Sequence, residues 1–179
     1  APDQFVSLGH VIHEMRLYKS SQELKAMRKA ASISAQAHRR AMAMCRPGMR
    51  EYQIEAELLH CFMQNGARAP AYPSIVGGGA NSCILHYTDN CSILKDGDLL
   101  LIDAGAEYDS YASDVTRTFP VSGEFTPAQR AAYEVVLAAQ LAAIDEVRPG
   151  NAWKDPHEAA IEVITRGLVD LGILKGHLR

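Results

Sequence analysis

The sequence lacks the features that mark several large classes of protein. No apolar run approaches the roughly 18 residues needed to cross a bilayer, so no membrane partner is expected. Basic residues show no excess, because 18 Lys and Arg stand against 21 Asp and Glu for a net charge of -3. This balance argues against a nucleic-acid partner bound through a basic face. Residues 1–4 carry neither a basic nor an apolar segment, so no signal peptide is predicted, and the absent Met suggests a processed start.

The cysteines form no metal-binding or redox pattern. Cys45, Cys61, Cys83 and Cys91 occur in no CxxC pair and lack zinc-finger spacing. We therefore expect four reduced, buried thiols in a cytoplasmic protein, with a disulfide between two of them as the alternative. The remaining composition, 47% hydrophobic and 22% charged over 179 residues, is typical of one globular domain or slightly more.

Helical periodicity and capping residues predict two helices before a strand-rich middle and two after it. Glu23 follows a Ser20/Ser21 cap, and Thr126 with Gln129 forms a capping box around Pro127. The predicted helices begin near Ser20, Glu51, Thr126 and His157 and end near Arg46, Gln64, Val147 and Leu171. The first residues, 1–19, lack a partner element and are interpreted as a linker or the tail of an absent upstream domain.

The middle of the chain predicts strands separated by glycine-containing turns. Residues 74–80 and 82–87 are expected to form two short strands, 99–105 a buried strand that ends in an acid, and 108–119 a further strand. The glycines at 77–79 are not followed by the GK[ST] of a phosphate loop.

A short repeat suggests an internal duplication. Arg46-Pro47-Gly48 and Arg148-Pro149-Gly150 each follow a long predicted helix and precede a shorter one. The second copy would lack its strands, since only seven residues follow Gly172. The predicted organisation is α+β, with a linker at 1–19, a first unit at 20–124 and the truncated start of a second unit at 125–179.

Two aspartates in the strand-rich middle are the strongest candidates for chemistry. Asp103 follows four apolar residues and Asp114 comes 11 residues later, so a hairpin turning near 107–110 would bring both carboxylates to one face. Two close carboxylates need a proton or a cation between them. Carboxylate ligands favour Mn²⁺, Mg²⁺ or Co²⁺ over structural Zn²⁺, with His86 as a third group. The alternative is that the aspartates pair with Arg117 or that Asp103 caps a turn.

The other histidines show no mutual ligand spacing. They are expected on helix surfaces or in linkers, and they include His13, His38, His60, His157 and His177.

Three segments together carry a more specific pattern. They are IHEMR at 12–16 followed by KSxxEL at 19–24, ILHYT at 84–88, and DAGAEYxxYxxDVTRTFP at 103–120. These segments resemble the Xaa-Pro aminopeptidases (aminopeptidase P) and the related proline dipeptidases. The resemblance implies a "pita-bread" fold, which is a duplicated α+β unit with two metal ions, usually Mn²⁺, between its halves. It also implies an activity, removal of an N-terminal residue that precedes proline, and so a proline-containing peptide as substrate.

The resemblance assigns roles by position. Asp103 corresponds to a bidentate ligand of one metal ion and Asp114 to the carboxylate that bridges both ions. His86 corresponds to a non-ligand histidine that contacts the substrate or the transition state, and Tyr72 to an aromatic residue near the pocket. The three further ligands of the family, one His and two Glu, match nothing in this chain, so the resemblance covers only the first half of the catalytic domain. Weak or absent Mn²⁺ binding is therefore expected, with Co²⁺ or Zn²⁺ as other possible ions.

Three alternatives to a Xaa-Pro aminopeptidase stay open at this stage. The first is a proline dipeptidase, and the second is a binding module that kept the fold and lost the metal site. The third is self-association, in which two copies pack the sheet faces that a second half would cover. Leu99, Leu101 and Val115 are the residues expected to form the resulting exposed apolar patch.

Overall fold

Among the residues that the structure describes, the first and last elements are helices, with the strands between them. The structure, a computed structural model, describes residue 3 and residues 7–175. The helices are α1 (Gly9–Leu17), α2 (Ser21–Met44), α3 (Glu51–Gln64), α4 (Pro127–Asp145) and α5 (Asp155–Asp170). The strands are β1 (Ala69–Pro70), β2 (Ile75–Gly78), β3 (Leu99–Ala104), β4 (Ala106–Tyr108), β5 (Tyr111–Ala112) and β6 (Val115–Pro120), and a 3₁₀ helix spans Gly79–Cys83. Two compact units result, residues 1–124 and residues 125–179.

Helix α2 starts at the predicted Ser20 cap, which forms a capping box with Glu23. The Ser20 hydroxyl accepts a bond from the Glu23 amide at 3.3 Å, and the Glu23 carboxylate accepts one from the Ser20 amide at 2.6 Å. The buried positions of α2 recur every three or four residues, so one face of the helix enters the core. They are Ala30, Ile33, Ser34, Ala37, His38 and Ala41. Helix α3, which has the predicted bounds, packs against α2 and β2.

The main sheet of the first unit has the order β2-β3-β6, and both of its pairings are antiparallel. Burial alternates along β3, with Leu100, Ile102 and Ala104 in the core and the intervening residues half-buried. Val115 pairs with Ala104, so it lies on the face opposite Leu99 and Leu101. The expectation that these three residues form one apolar patch was therefore wrong.

A second, smaller sheet has the order β1-β4-β5. Strands β4 and β5 form a hairpin whose turn residues Asp109 and Ser110 both have positive φ, 49° and 67°, as a type I′ turn requires. The turn lies where it was predicted, but the single strand at 108–119 does not form. The chain breaks at Ser113, whose amide donates to the Ala106 carbonyl before β6 joins the main sheet.

The second unit consists of α4 and α5, which pack against each other. The Thr126 hydroxyl accepts a bond from the Gln129 amide at 3.3 Å, and the Gln129 side chain accepts one from the Thr126 amide at 2.9 Å, as predicted. Gly167 lies so close to Val135 that a Cβ atom at 167 would come within 2.5 Å of the Val135 Cγ1 atom. A side chain at this helix contact would therefore require Val135 or the helices to move.

The two Arg-Pro-Gly segments occupy corresponding places, each between two helices. Each follows a longer helix, of 24 or 19 residues, and precedes a shorter one, of 14 or 16 residues. Gly48 and Gly150 have φ values of 88° and 94°. Glycine adopts these left-handed backbone conformations at little cost in energy. The two glycines thus share a positive φ, but the helices before them end differently, because the residue after α2, Cys45, has a ψ of 130° and the residue after α4, Glu146, has a ψ of -8°.

The segment interpreted as a linker or the tail of an absent upstream domain contains α1, a helix with no buried residue, while residues 1, 2 and 4–6 and the last residues, 176–179, lie outside the described part. All four cysteines are free, but the expectation that all are buried was wrong, because only Cys45 and Cys61 are buried and Cys83 and Cys91 are exposed. Over residues 7–175, no helix is both long and apolar enough to span a bilayer.

Candidate metal centre

Asp103 lies at the end of β3 on the face that the core does not cover. The alternation of β3 turns Leu100 and Ile102 inward and leaves Asp103 half-buried. Its cross-strand partner is Thr116 on β6, and Ile75 on β2 flanks it on the other side. The carboxylate thus projects from the middle strand of the main sheet, where neighbouring strands fix its position.

Asp114 reaches the same place because the chain returns across Gly105. The Ser113 hydroxyl approaches the Ser34 hydroxyl at 2.8 Å and the Ala106 carbonyl at 2.8 Å. These contacts hold the segment before β6 against β4 and α2. Asp114 is two residues before Thr116, so it is expected on the same face as Asp103.

The hydroxyl of Tyr72 joins the two carboxylates. Its oxygen lies 2.6 Å from Asp103 Oδ1 and 2.8 Å from Asp114 Oδ1. Burial raises the pKa of Tyr72, and the hydrogen bonds to the two carboxylates raise it further, so the phenol stays protonated. A phenol has one proton and can donate it to one aspartate at a time. The oxygen of the other aspartate then receives no hydrogen bond from this phenol. Two carboxylates that share a single donor in this way suit a bound cation.

His86 stands at the rim of the same site. Its φ of 56° places it in a turn rather than in the strand predicted for residues 82–87, and its side chain is exposed. That prediction was wrong because Asn81, the residue before this segment, donates to Glu51 and to the Tyr87 hydroxyl and so draws the chain around Glu51, away from the edge of β2. Among the described residues the imidazole of His86 has no hydrogen-bond partner, so both ring nitrogens are available to a ligand.

All four residues assigned by the resemblance surround one pocket of about 410 Å³. Its lining consists of Tyr72, Pro73, Ile75, His86, Thr88, Asp103 and Asp114. A pocket lined by two carboxylates, an aromatic side chain and a histidine at its opening can hold a cation and one short, partly apolar ligand.

The described residues supply only two carboxylates to this site. Within the part of the chain that the structure describes, no three His, Cys, Asp or Glu side chains come together in a metal-binding group. His86 lines the pocket with the two aspartates but does not form a metal-binding group with them in the described structure, so its role as a third ligand stays a prediction. The alternative pairing with Arg117 is not seen either. Arg117 pairs with Ile102, on the face of the sheet opposite Asp103, and donates to the Thr116 carbonyl.

His38 was expected on a helix surface but is buried. Its Nδ1 atom lies 2.9 Å from the Ser34 carbonyl, and its Nε2 atom has no partner among the described residues. Burial lowers the pKa of His38, which keeps the ring neutral. His13, His60 and His157 are exposed as expected, and His177 lies outside the described residues.

A buried carboxylate, Glu51, lies outside the pocket lining and was not predicted. It accepts four hydrogen bonds, from the Gly78 amide at 2.8 Å, Asn81 Nδ2 at 3.0 Å, the Tyr87 hydroxyl at 2.8 Å and the Ser92 amide at 2.8 Å. Burial alone would raise the pKa of Glu51, but these hydrogen bonds outweigh it and hold the pKa below its ordinary value. In the sequence, Glu51 is recognisable only as an acidic residue in the first turn of a predicted helix, and acidic residues at such positions are common on protein surfaces.

Comparisons with known proteins give the same family throughout. The model of metallopeptidase family M24 matches residues 25–178. The chain is 51% identical over 176 residues to the Xaa-Pro aminopeptidase of Escherichia coli K12, a match that covers 98% of this chain and 40% of that protein. The structure of Pseudomonas aeruginosa aminopeptidase PepP superposes with a TM-score of 0.96 at 57% identity, over 98% of this chain and 40% of the other.

A third match carries a ligand. It is a Zn-substituted Escherichia coli aminopeptidase P in complex with product, with a TM-score of 0.96 at 50% identity over 99% of this chain and 40% of that one. The chain thus spans about 40% of the length of the curated relatives it matches. The similarities confirm both the α+β class and the resemblance found in the three sequence segments.

Proposed function

We propose that this chain, which belongs to metallopeptidase family M24, supplies part of the active site of a Xaa-Pro aminopeptidase. The reaction is hydrolysis of the peptide bond between an N-terminal residue and a following proline. The observation that carries the proposal is the convergence of Asp103 and Asp114 on the Tyr72 hydroxyl, in the pocket that His86 borders. The relatives' names support the choice of substrate.

Asp103 and Asp114 would hold divalent metal, with Mn²⁺ as the proposed ion and Co²⁺ or Zn²⁺ as possible substitutes. A bound divalent ion of this kind lowers the pKa of a coordinated water and polarises a carbonyl group. Two carboxylates make a weak site, so the remaining ligands would come from residues other than those described. The Tyr72 hydroxyl orients the two carboxylates by donating to one of them at a time.

His86 would act on the substrate rather than on the metal. Its exposed imidazole borders the pocket and carries no competing hydrogen bond among the described residues. An N–H of this ring could donate to the oxygen of the scissile carbonyl as negative charge develops there. Ile75 and Pro73 give the pocket an apolar side suited to a proline ring. We further propose a reducing, cytoplasmic location, consistent with four free thiols.

A chimera tests the proposal directly. In it, this chain replaces the matched segment of the Escherichia coli Xaa-Pro aminopeptidase, and release of the residue before proline is measured with added Mn²⁺. Turnover is expected, and Asp103→Ala or Asp114→Ala should reduce it at least about a thousandfold because each removes a metal ligand. Asp96→Ala, in an exposed turn, is the matched control and should leave turnover unchanged. A folded, Mn²⁺-loaded chimera without turnover would refute the proposal.

A further inference from the structure

Glu51 ties together two separate parts of the chain. Its Oε1 atom accepts from Gly78 and Asn81, at the end of β2 and in the 3₁₀ helix, while its Oε2 atom accepts from Tyr87 and Ser92. The side chain is fully buried, and four bonds use the whole in-plane acceptor capacity of a carboxylate. Bonds to a charged acceptor are stronger than neutral ones, so these four bonds hold the two parts together firmly.

His86 lies within the segment that Glu51 holds. It directly precedes Tyr87, which is buried with its hydroxyl on Glu51, whereas Ile84, Leu85 and His86 are exposed. The φ of His86, 56°, is costly for a residue with a Cβ atom and persists only where the surroundings impose it. The anchors at Asn81 and Tyr87 on either side of residues 82–86 provide that constraint.

A second anchor fixes the far side of the same loop. The Asn90 side chain accepts from the Val76 amide at 2.9 Å and donates to the Ser74 carbonyl at 2.9 Å, next to Ile75 in the pocket wall. The loop that carries His86, residues 82–90, is thus connected to β2 through Glu51 on one side and through Asn90 on the other. Ile84, Leu85 and His86 themselves are exposed and lie outside the core cluster, so among the described residues the hydrogen bonds that fix this loop come from its two flanks.

We propose that Glu51 is a positioning residue for His86, acting through the Tyr87 hydroxyl and the Asn81 amide. The buried carboxylate holds the loop in the one conformation that points the His86 imidazole into the pocket beside Asp103 and Asp114. The kinetic part of this proposal rests on the function proposed above, while its structural part concerns this chain alone.

The structural test uses this chain without metal or substrate. Tyr87→Phe removes one bond to Glu51 and keeps the buried ring, and Glu51→Gln keeps the shape but turns an acceptor into a donor. Both are expected to shift the NMR resonances of the His86 side chain and to speed hydrogen exchange at residues 84–88. Tyr111→Phe is the matched control, because it also removes a phenol-to-carboxylate bond, at 2.5 Å to Glu23. Unchanged His86 resonances in Tyr87→Phe would overturn the proposal.

The kinetic test uses the chimera. Tyr87→Phe should lower kcat about tenfold with little change in KM, because a displaced imidazole loses contact mainly in the transition state. In a His86→Ala background the same substitution should cost almost nothing further, since both changes remove one function. An equal loss with and without His86 would contradict a role through His86. If the unmodified chimera is inactive, the function proposed above fails, and the NMR comparison still decides the structural part.

Discussion

The backbone at Gly105 approaches the carbonyl oxygen of Ser113 so closely that a Cβ atom on residue 105 would lie 1.7 Å from it. This crossing lies between the two candidate ligands, because Gly105 follows Asp103 by two residues and Ser113 immediately precedes Asp114. The spacing of the DAGAE segment therefore has a steric cause. A side chain at residue 105 would force apart the two strands that bring the carboxylates together.

Gly105→Ala is expected to destabilise the first unit and to separate the aspartates. The methyl group meets backbone, which cannot rotate away as a flexible side chain can, so we expect a loss of more than about 2 kcal/mol in the free energy of unfolding. Urea denaturation of the two proteins measures it. Gly123→Ala is the control, because Gly123 has a φ of 87° but open space around it, and it should cost only about 1 kcal/mol. Equal losses would show that the crossing is not rigid.

Asp114→Asn is expected to remove metal binding without lowering the stability of the metal-free protein. Removing one of two carboxylates that face a single phenol proton relieves repulsion, so in chelator the unfolding free energy should stay unchanged or rise by up to about 1 kcal/mol. The same substitution should abolish any increase in melting temperature on adding Mn²⁺, because it removes a ligand. Thermal unfolding in EDTA and in Mn²⁺ measures both effects.

The control for this prediction is Asp96→Asn, which removes an equal charge from an exposed turn. It should leave the Mn²⁺ response of the parent protein intact. A marked fall in stability of Asp114→Asn in chelator would mean that the two carboxylates are not in repulsion.

Part of this site could be predicted from the sequence because its signals are local. Asp103 ends an apolar run and Asp114 follows at hairpin spacing. From these two facts it could be inferred, without tertiary information, that the two aspartates lie in neighbouring segments and on one face of a sheet. The helix cap at Ser20 and the capping box at Thr126 are likewise local and were predicted correctly. The hydrogen bonds of such caps are made by residues that are close together in the sequence.

The rest depends on contacts between distant segments. Glu51 receives bonds from residues 27 to 41 positions away, and nothing in its helix signals that donors will surround it. His38 occupies a polar position of α2 that becomes buried only when the main sheet packs on the helix. The exposed pair Ile84 and Leu85 suggested a strand, although the bonds of Asn81 and Tyr87 to Glu51 bend this segment into a turn.

Gly167→Ala is expected to loosen the second unit, and Val135→Ala should compensate for it. The new Cβ atom would lie 2.5 Å from Val135 Cγ1 and 2.6 Å from Cγ2, so α4 and α5 must separate or Val135 must shift. In the double variant the lost methyl groups make room, and alanine also favours the helix over glycine by about 1 kcal/mol. Helical circular dichroism during thermal unfolding compares the three variants. A double variant no more stable than Gly167→Ala would show that Val135 is not the obstacle.

His38 is expected to make the protein less stable as the pH falls below neutrality. Burial lowers its pKa from an ordinary value of 6.5, and the charge of Arg117 lowers it further, against the opposing effect of the Ser34 carbonyl. Above pH 6.5 both the folded and the unfolded chain are neutral at this residue. As the pH falls through 6.5, the unfolded chain takes up a proton and the folded one does not, so the unfolding free energy decreases until the pH passes the folded pKa. For one such group the slope is at most about 1.4 kcal/mol per pH unit.

Urea midpoints between pH 8 and pH 5 test this expectation. His38→Asn, whose amide can replace the bond from Nδ1 to the Ser34 carbonyl, should flatten the dependence below pH 6.5 even if it lowers stability at pH 8. His60→Asn is the control, because His60 is exposed on α3, and it should leave the slope of the parent protein unchanged. If His38→Asn and the parent protein lose stability in parallel, the buried ring already takes up its proton in the folded state, and another group causes the acid sensitivity.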